Sequence, residues 1–173
     1  MSNHYFDSTV PVFVQSLTAL KIVLQRGEAF AKEKKVTDEV LLRSRIAVDM
    51  FDLVKQVQVA CDNAKGSAAR LAGVDVPKME DNEHTFVELE SRIDKTIAFL
   101  STLTVAQFED AGERHVTLPY FKDKHFIGRE YLYEYALPNF FFHIVTAYDI
   151  LRHLGVPLGK SDYLGSYRIH DGA

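Results

Sequence analysis

The strongest constraint on the fold lies in the last third of the chain, between Ala136 and Gly155. At 100° per residue, the apolar positions of this stretch fall on one side of a helix, and His143 lies near the middle of that side. Asn139 lies one turn earlier on the same side, whereas His153 points away from it. The pattern therefore predicts a helix that buries one histidine and one amide in an apolar core.

Four stretches in total have the three- and four-residue spacing of apolar positions that is typical of amphipathic helices. The predicted helices run from about Ser8 to Lys34, from Met50 to Leu71, from Asp81 or Asn82 to Leu100 or Ser101, and from Arg129 to Leu154. Pro138 lies inside the fourth helix. We expect this proline to kink the helix and to free a carbonyl one turn before His143.

A different pattern separates the third and fourth helices. The segments 115–120 and 125–127 read as two short strands around a polar turn, and a hairpin of this size needs a helical surface to pack against. The fold class predicted is all-α, a four-helix bundle with a short β-hairpin between helices 3 and 4. The chain is expected to form a single domain over residues 1–173, with its core at about 8–155 and a C-terminal surface extension at 156–173.

Individual positions within the predicted helices carry further expectations. Glu88 and Arg92 lie four residues apart and are interpreted as an ion pair on the solvent side of the third helix. Gly66, in the middle of the second helix, is interpreted as a point where another backbone approaches closely. Cys61 falls on the core stripe of the same helix, where a thiol is normally unreactive.

Charge and composition exclude several classes of function. The net charge is −4, so the basic surface expected of a nucleic-acid-binding protein is missing. No uncharged apolar run approaches the roughly 20 residues that cross a bilayer. A single cysteine rules out an internal disulfide and fits a reducing compartment. We therefore expect a cytoplasmic protein without a nucleic-acid or membrane partner.

Four inward-facing polar residues form the candidate site: Gln56 and Gln58 in the second helix, and Asn139 and His143 in the fourth. A buried polar group left without a partner costs about 1–3 kcal/mol. In one interpretation these groups pair with one another or with the backbone. In the other they line a ligand pocket in which His143 binds a metal or a substrate. No two histidines in the chain are four residues apart, and amides are poor ligands for zinc or nickel.

Other chemistry has little support, because the chain lacks a nucleophile-elbow motif, a phosphate-binding glycine loop and a dinucleotide fingerprint. Aromatic residues, in contrast, surround the fourth helix on more than one side, at Tyr131, Tyr133, Tyr135 and 140–142. Such a distribution is typical of a core combined with a subunit interface. We therefore predict a homodimer.

Several blocks of the sequence resemble the DinB-like superfamily, and more narrowly an uncharacterised bacterial subfamily of it known as a domain of unknown function. The blocks lie at 10–14, 49–58, 62–66, 137–143 and 146–148. The fourth helix also ends in a His-x-x-x-Ala-x-x-x-Leu-Arg-x-x-Gly pattern that begins at His143. The resemblance runs from about residue 5 to residue 165 and implies the same helical bundle.

The resemblance also implies a metal site. Members of the superfamily hold a divalent metal with one histidine from the second helix and two, four residues apart, from the last helix. Characterised members are transferases that use small thiols such as mycothiol or bacillithiol. In this chain His143 matches the second histidine of the last helix, Asn139 stands at the first, and Gln56 or Gln58 stands at the position in the second helix. Two of the three ligands are thus amides.

These observations lead to two hypotheses for the function. The first is a bundle with a small polar pocket that binds a small molecule, or a relative of the metal- or thiol-dependent transferases with a degenerate site holding Zn or Ni weakly. The alternative is a dimeric small-ligand-binding or structural protein that has lost the metal site. Whether the chain is an enzyme is left open by the sequence.

Overall fold

The computed structural model describes residues 2–170 and residue 172. Most of this part of the chain is helical. The helices are α1 (His4–Asp7), α2 (Val10–Lys34), α3 (Asp38–Leu42), α4 (Leu53–Ala72), α5 (Phe86–Leu100), α6 (Gly128–Glu130), α7 (Leu137–His153) and α8 (Lys160–Leu164). A 3₁₀ helix spans Val105–Phe108, and a π-helical segment spans Tyr131–Ala136. Strands β1 (His115–Thr117) and β2 (His125–Ile127) form one antiparallel pair.

The core lies between the four long helices α2, α4, α5 and α7. Helix α4 packs against both α5 and α7, and α2 packs against the same two helices. The apolar stripe predicted for the last helix is confirmed, since Phe140, Ala147, Ile150 and Leu151 are each at most 1% exposed. His143 lies among them and is 7% exposed.

Local hydrogen bonds explain where two of the predicted helices begin. Asp52 caps α4, because its Oδ1 accepts from the backbone N–H of Lys55, so this helix begins at Leu53 and not at the expected Met50. Gly73 ends the helix in the left-handed conformation, with φ of 71°. Helix α2 begins at Val10, two residues after the expected Ser8, because Ser8 ends the short helix α1.

Helix α5 begins later than predicted, at Phe86 in place of Asp81 or Asn82. Thr85 and Glu88 form a capping box, in which Thr85 Oγ1 accepts from Glu88 N and the Glu88 carboxylate accepts from Thr85 N. The expected Glu88–Arg92 surface pair is therefore wrong. Glu88 is used in the cap, and Arg92 is buried.

The last helical region is interrupted close to Pro138. The expected continuous helix from Arg129 to Leu154 is divided into α6, the π-helical segment and α7. Proline has no N–H to donate to the preceding turn, and Pro138 directly follows the π-helical segment, with Ala136 and Leu137 both in the right-handed helical conformation. The wider π turn accommodates the irregularity that we expected as a kink.

The segment after Gly155, expected as a surface extension, packs on α2. Val156 and Leu158 are buried, and Arg26 of α2 pairs with Asp162 of α8 at 2.9 Å. The region His4–Lys34 is long and apolar enough to cross a membrane by length and composition. Its apolar stripe, however, lies in the core between the other long helices, which accounts for its hydropathy.

Candidate functional site

The centre of the candidate site is a hydrogen bond between α4 and α7. His143 Nδ1 lies 2.7 Å from Gln56 Oε1, and both side chains are buried. Gln56 Nε2 in turn donates to the backbone carbonyl of Phe51 at 3.2 Å. Because the amide nitrogen of Gln56 donates to that carbonyl, the amide oxygen of Gln56 is the atom that faces the imidazole of His143. His143 therefore donates from Nδ1.

This arrangement determines the chemical state of His143. Burial lowers the pKa of the imidazole below its ordinary value of 6.5, so the ring is neutral at neutral pH. With the proton on Nδ1, the Nε2 atom carries a free lone pair. Within the described chain Nε2 has no hydrogen-bond partner. The site thus offers one well-oriented acceptor, held by the carbonyl oxygen of Gln56.

Asn139 lies on the same side of α7, but it pairs elsewhere. Its Nδ2 donates to Asn63 Oδ1 of α4 at 3.1 Å. The Nδ2 atom of Asn63 is buried and has no partner among the described residues. Further along the same interface, the hydroxyls of Ser67 and Tyr131 are 3.1 Å apart. Three polar pairs therefore connect α4 to the last helical region, and the Asn63 contribution was not anticipated from the sequence.

Gln58 is separated from the other three predicted site residues. It donates to Glu83 Oε2 at 2.8 Å, in the segment between α4 and α5. Between the two glutamines that the resemblance left open, the residue that contacts His143 is thus Gln56. Gln58 belongs to a charged network on another face of α4.

The centre of that network is Arg92 of α5, whose side chain is 1% exposed. Its Nη1 donates to Glu83 Oε1 and to the carbonyl of Glu80, each at 3.0 Å. Its Nη2 lies 2.8 Å from Asp62 Oδ1 and 2.9 Å from Asp81 Oδ1. Three carboxylates thus hold one buried guanidinium, and the network fixes residues 80–83 against α4 and α5.

The sequence contained a signal for this network that periodicity alone did not identify. The stripe of α5 at Leu89, Ile93 and Leu100 leaves positions for two further inward residues, and Arg92 and Thr96 occupy them. A buried arginine requires acidic partners, and the acids of residues 80–83 supply two of them. Burial opposes the charge of Arg92, but the hydrogen bond to Glu83 and the charge of Asp62 outweigh it and raise the pKa of this guanidinium.

Cys61 lies in the core, as the sequence predicted. The side chain is fully buried, and burial raises the pKa of its thiol to about 12. A thiol in this environment is protonated at neutral pH and is not a nucleophile.

The residues present do not fit the divalent metal that the DinB resemblance implies. The oxygen of Gln56 is occupied by His143 Nδ1, and the amide of Asn139 is paired with Asn63. Only His143 Nε2 remains as a nitrogen donor of the kind that zinc or nickel prefers. No group of three or more His, Cys, Asp or Glu residues within residues 2–170 could hold a metal ion.

Comparison with known proteins defines the family. A family model described as "Domain of unknown function (DUF1993)" matches residues 5–164 of the chain. The chain belongs to the DUF1993 family. The crystal structure of a DinB family member from Shewanella denitrificans is 43% identical in sequence, with a TM-score of 0.93, and the match covers 96% of this chain and 95% of that chain. No curated protein matches the chain.

These comparisons confirm the resemblance to the DinB-like superfamily and to its uncharacterised subfamily. A match over nearly the whole length of both chains explains why the mostly helical DUF1993 fold, with its small two-stranded sheet, could be anticipated. The comparisons assign neither an activity nor a cofactor to the DUF1993 domain.

Proposed function

We propose that this DUF1993 domain is a cytoplasmic, homodimeric four-helix bundle of the DinB type whose former metal position binds a small molecule without a metal. One observation carries the proposal: His143 Nδ1 donates to Gln56 Oε1, which leaves Nε2 as an oriented acceptor on a neutral ring. Metal-binding histidines are oriented by the same kind of second-shell contact to a carbonyl oxygen. Here Gln56, at a position where the resemblance implies a ligand, instead orients the ring of His143 through its amide oxygen.

The ligand class follows from the acceptor. A neutral imidazole nitrogen accepts a hydrogen bond from a hydroxyl, an ammonium group or a thiol. Small thiols are the ligands that the DinB resemblance supplies, and they are the class that we propose. Because burial lowers the pKa of His143, its ring is a weak base, and the arrangement favours binding over proton abstraction.

Two exposed aromatic side chains next to the site support the alternative function, in which this surface is a subunit interface. Phe142 is 56% exposed and its ring lies edge-on to His143, with 5.2 Å between the ring centroids. Phe51, whose carbonyl accepts from Gln56, is 52% exposed. Exposed aromatic side chains are enriched at interfaces. The alternative function is therefore a structural dimer in which the His143–Gln56 pair only stabilises the fold.

The first experiment tests the loss of the metal site. Metal content is measured on protein purified without a histidine tag, followed by titration with Zn²⁺ and Ni²⁺. The matched variant, Gln56→His/Asn139→His, restores the three-histidine pattern, with two histidines one turn apart on α7. We expect no stoichiometric metal in the parent and tight binding in the variant. A stoichiometric metal in the parent that is lost in His143→Gln would contradict the proposal.

The second experiment separates ligand binding from a purely structural role. In ¹⁵N-histidine NMR spectra, we expect the free protein to show His143 protonated on Nδ1. Addition of bacillithiol should shift the Nε2 resonance of His143 and leave that of exposed His153 unchanged. A shift of neither resonance, together with a dimer that Phe142→Ser dissociates in sedimentation analysis, would favour the structural alternative.

A further inference from the structure

A cleft of about 560 Å³ lies between the β-hairpin and the C-terminal half of α4. Its lining combines the cationic side chains of Arg70, Lys122 and Lys124 with an apolar wall of Leu118, Pro119 and Phe121. Arg70 is 14 positions beyond Gln56 on α4, which separates the two by about 21 Å along the helix axis. The cleft is therefore distinct from the His143 site, and the proposed function does not use it.

The charges of this cleft are not balanced. Arg70, Lys122 and Lys124 form no ion pair within the described part of the chain, although acidic residues outnumber basic ones, 24 to 20, in the whole sequence. The cleft contains one carboxylate, that of Asp123. Three unpaired cations that line one concave surface produce a positive potential that attracts anions.

Gly66, one turn before Arg70, leaves space for the guanidinium of Arg70. A Cβ atom placed on Gly66 would lie 2.6 Å from Nη1 of Arg70, so only glycine leaves room for the guanidinium in its present position. The close neighbour at Gly66 is thus this side chain, and not another backbone as the sequence suggested. The same guanidinium lies near the buried hydroxyl of Tyr131. A glycine in mid-helix costs about 1 kcal/mol relative to alanine, and here it makes space for a cation.

We propose that this cleft binds a small soluble organic phosphate. The planar guanidinium of Arg70 and the two lysines would contact the phosphate oxygens, because arginine in particular matches the geometry of a phosphate group. His125 adds a ring nitrogen at the rim. The apolar wall formed by Leu118, Pro119 and Phe121 accommodates a hydrophobic body attached to the phosphate. The volume lies within the range of small-molecule sites.

The test is a calorimetric titration at low ionic strength with three probes: phenyl phosphate, inorganic phosphate and phenol. We expect phenyl phosphate to bind more tightly than inorganic phosphate, and phenol not to bind. Lys122→Gln/Lys124→Gln should weaken phenyl phosphate binding at least about fivefold. The control Lys78→Gln/Lys95→Gln removes the same charge from exposed positions outside the cleft and should change the affinity less than about twofold.

A second variant tests the position of Arg70 without changing any charge. Gly66→Ala displaces the guanidinium while it improves helix propensity, so the affinity for phenyl phosphate should fall and the thermal stability should not. Equal losses in the two double-lysine variants, or an unchanged affinity in Gly66→Ala, would overturn the proposal. Sedimentation with phosphatidylcholine vesicles that contain phosphatidic acid, without binding of phenyl phosphate, would indicate a lipid headgroup and would contradict a soluble ligand.

Discussion

Helix α4 contributes polar residues to two buried sites of opposite character. Towards residues 80–83 and α5, Asp62 and Gln58 join the network around Arg92. Towards α7, Gln56 holds His143. Each site has a buried polar side chain at its centre, Arg92 in the first and His143 in the second, although Asp62 and Asp81 of the first site are more than one third exposed. The Arg92 network is charged and brings one guanidinium together with three carboxylates and the amide of Gln58, whereas the His143–Gln56 pair is neutral and small.

The difference between the two sites shows which polar groups are committed to the fold. Both terminal nitrogens of Arg92 donate to oxygens, because a buried charge is tolerated only when its partners compensate for the lost hydration. The neutral imidazole of His143 requires less compensation, and its Nε2 keeps a free lone pair. In the charged site both terminal nitrogens of Arg92 are used in contacts that hold residues 80–83 in place, and its buried Nε has no partner among the described residues. A neutral site with one open acceptor can also receive a ligand.

The largest expected effect comes from Arg92→Met. Removing the guanidinium leaves Glu83, whose side chain is 10% exposed, without its main cationic partner. We expect the free energy of unfolding to fall by about 3–5 kcal/mol, the usual cost of removing one member of a buried ion pair. Urea denaturation monitored by circular dichroism measures this change.

Arg43→Met is the matched control for that variant. Arg43 also pairs with an aspartate, Asp52, at 3.3 Å, but the Arg43 side chain is 48% exposed. Its loss should cost less than about 1 kcal/mol. Equal destabilisation by the two variants would show that burial does not distinguish the Arg92 network from a surface pair.

A smaller effect is expected from His143→Ala. The substitution leaves Gln56 Oε1 without a donor in a buried position, which costs about 1–3 kcal/mol. His143→Gln keeps a donor and should retain more of the stability. In thermal and urea denaturation, His143→Ala should therefore be less stable than His143→Gln. A loss as large as that in Arg92→Met would indicate that the His143–Gln56 pair has a mainly structural role.

The sequence anticipated the neutral site better than the charged one. Helical periodicity placed His143 and Asn139 on the buried side of one helix, and family resemblance indicated the glutamines of the other. Periodicity did not decide between Gln56 and Gln58, because the two residues lie on different faces of α4 and only packing determines which face meets α7. Arg92 was assigned to the surface because Glu88 lies four residues before it. The capping box of Thr85 and Glu88 is a local pattern of residues three apart, and it was overlooked when Glu88 was paired with Arg92. The contacts of Arg92 with Asp62 and with the acids of residues 80–83 depend instead on the packing of α5 against α4.

The pH dependence of stability should distinguish the two sites further. Burial lowers the pKa of His143 in the folded state below its ordinary value of 6.5, so the unfolded chain binds this proton first as the pH falls. The stability associated with neutral His143 is fully present above about pH 6.5. It decreases as the pH falls towards the folded-state pKa. The difference in unfolding free energy between the parent and His143→Gln, measured from pH 8 to pH 5, should therefore shrink as the pH falls. A constant difference would contradict this assignment.

The smallest expected effect comes from Lys55→Gln, which tests the outer edge of the charged network. Lys55 pairs with Asp81, and both side chains are more than one third exposed. Burial works to raise the pKa of Asp81, but the hydrogen bond from Lys55 and the charge of Arg92 lower it. Asp81 keeps its contact with Arg92 when Lys55 is replaced, and solvent screens the charge that is lost. The free energy of unfolding should therefore fall by less than about 1 kcal/mol.

A loss near that of Arg92→Met would mean that the network stabilises the fold through its summed charge. A small loss would place the stabilisation in the buried guanidinium itself.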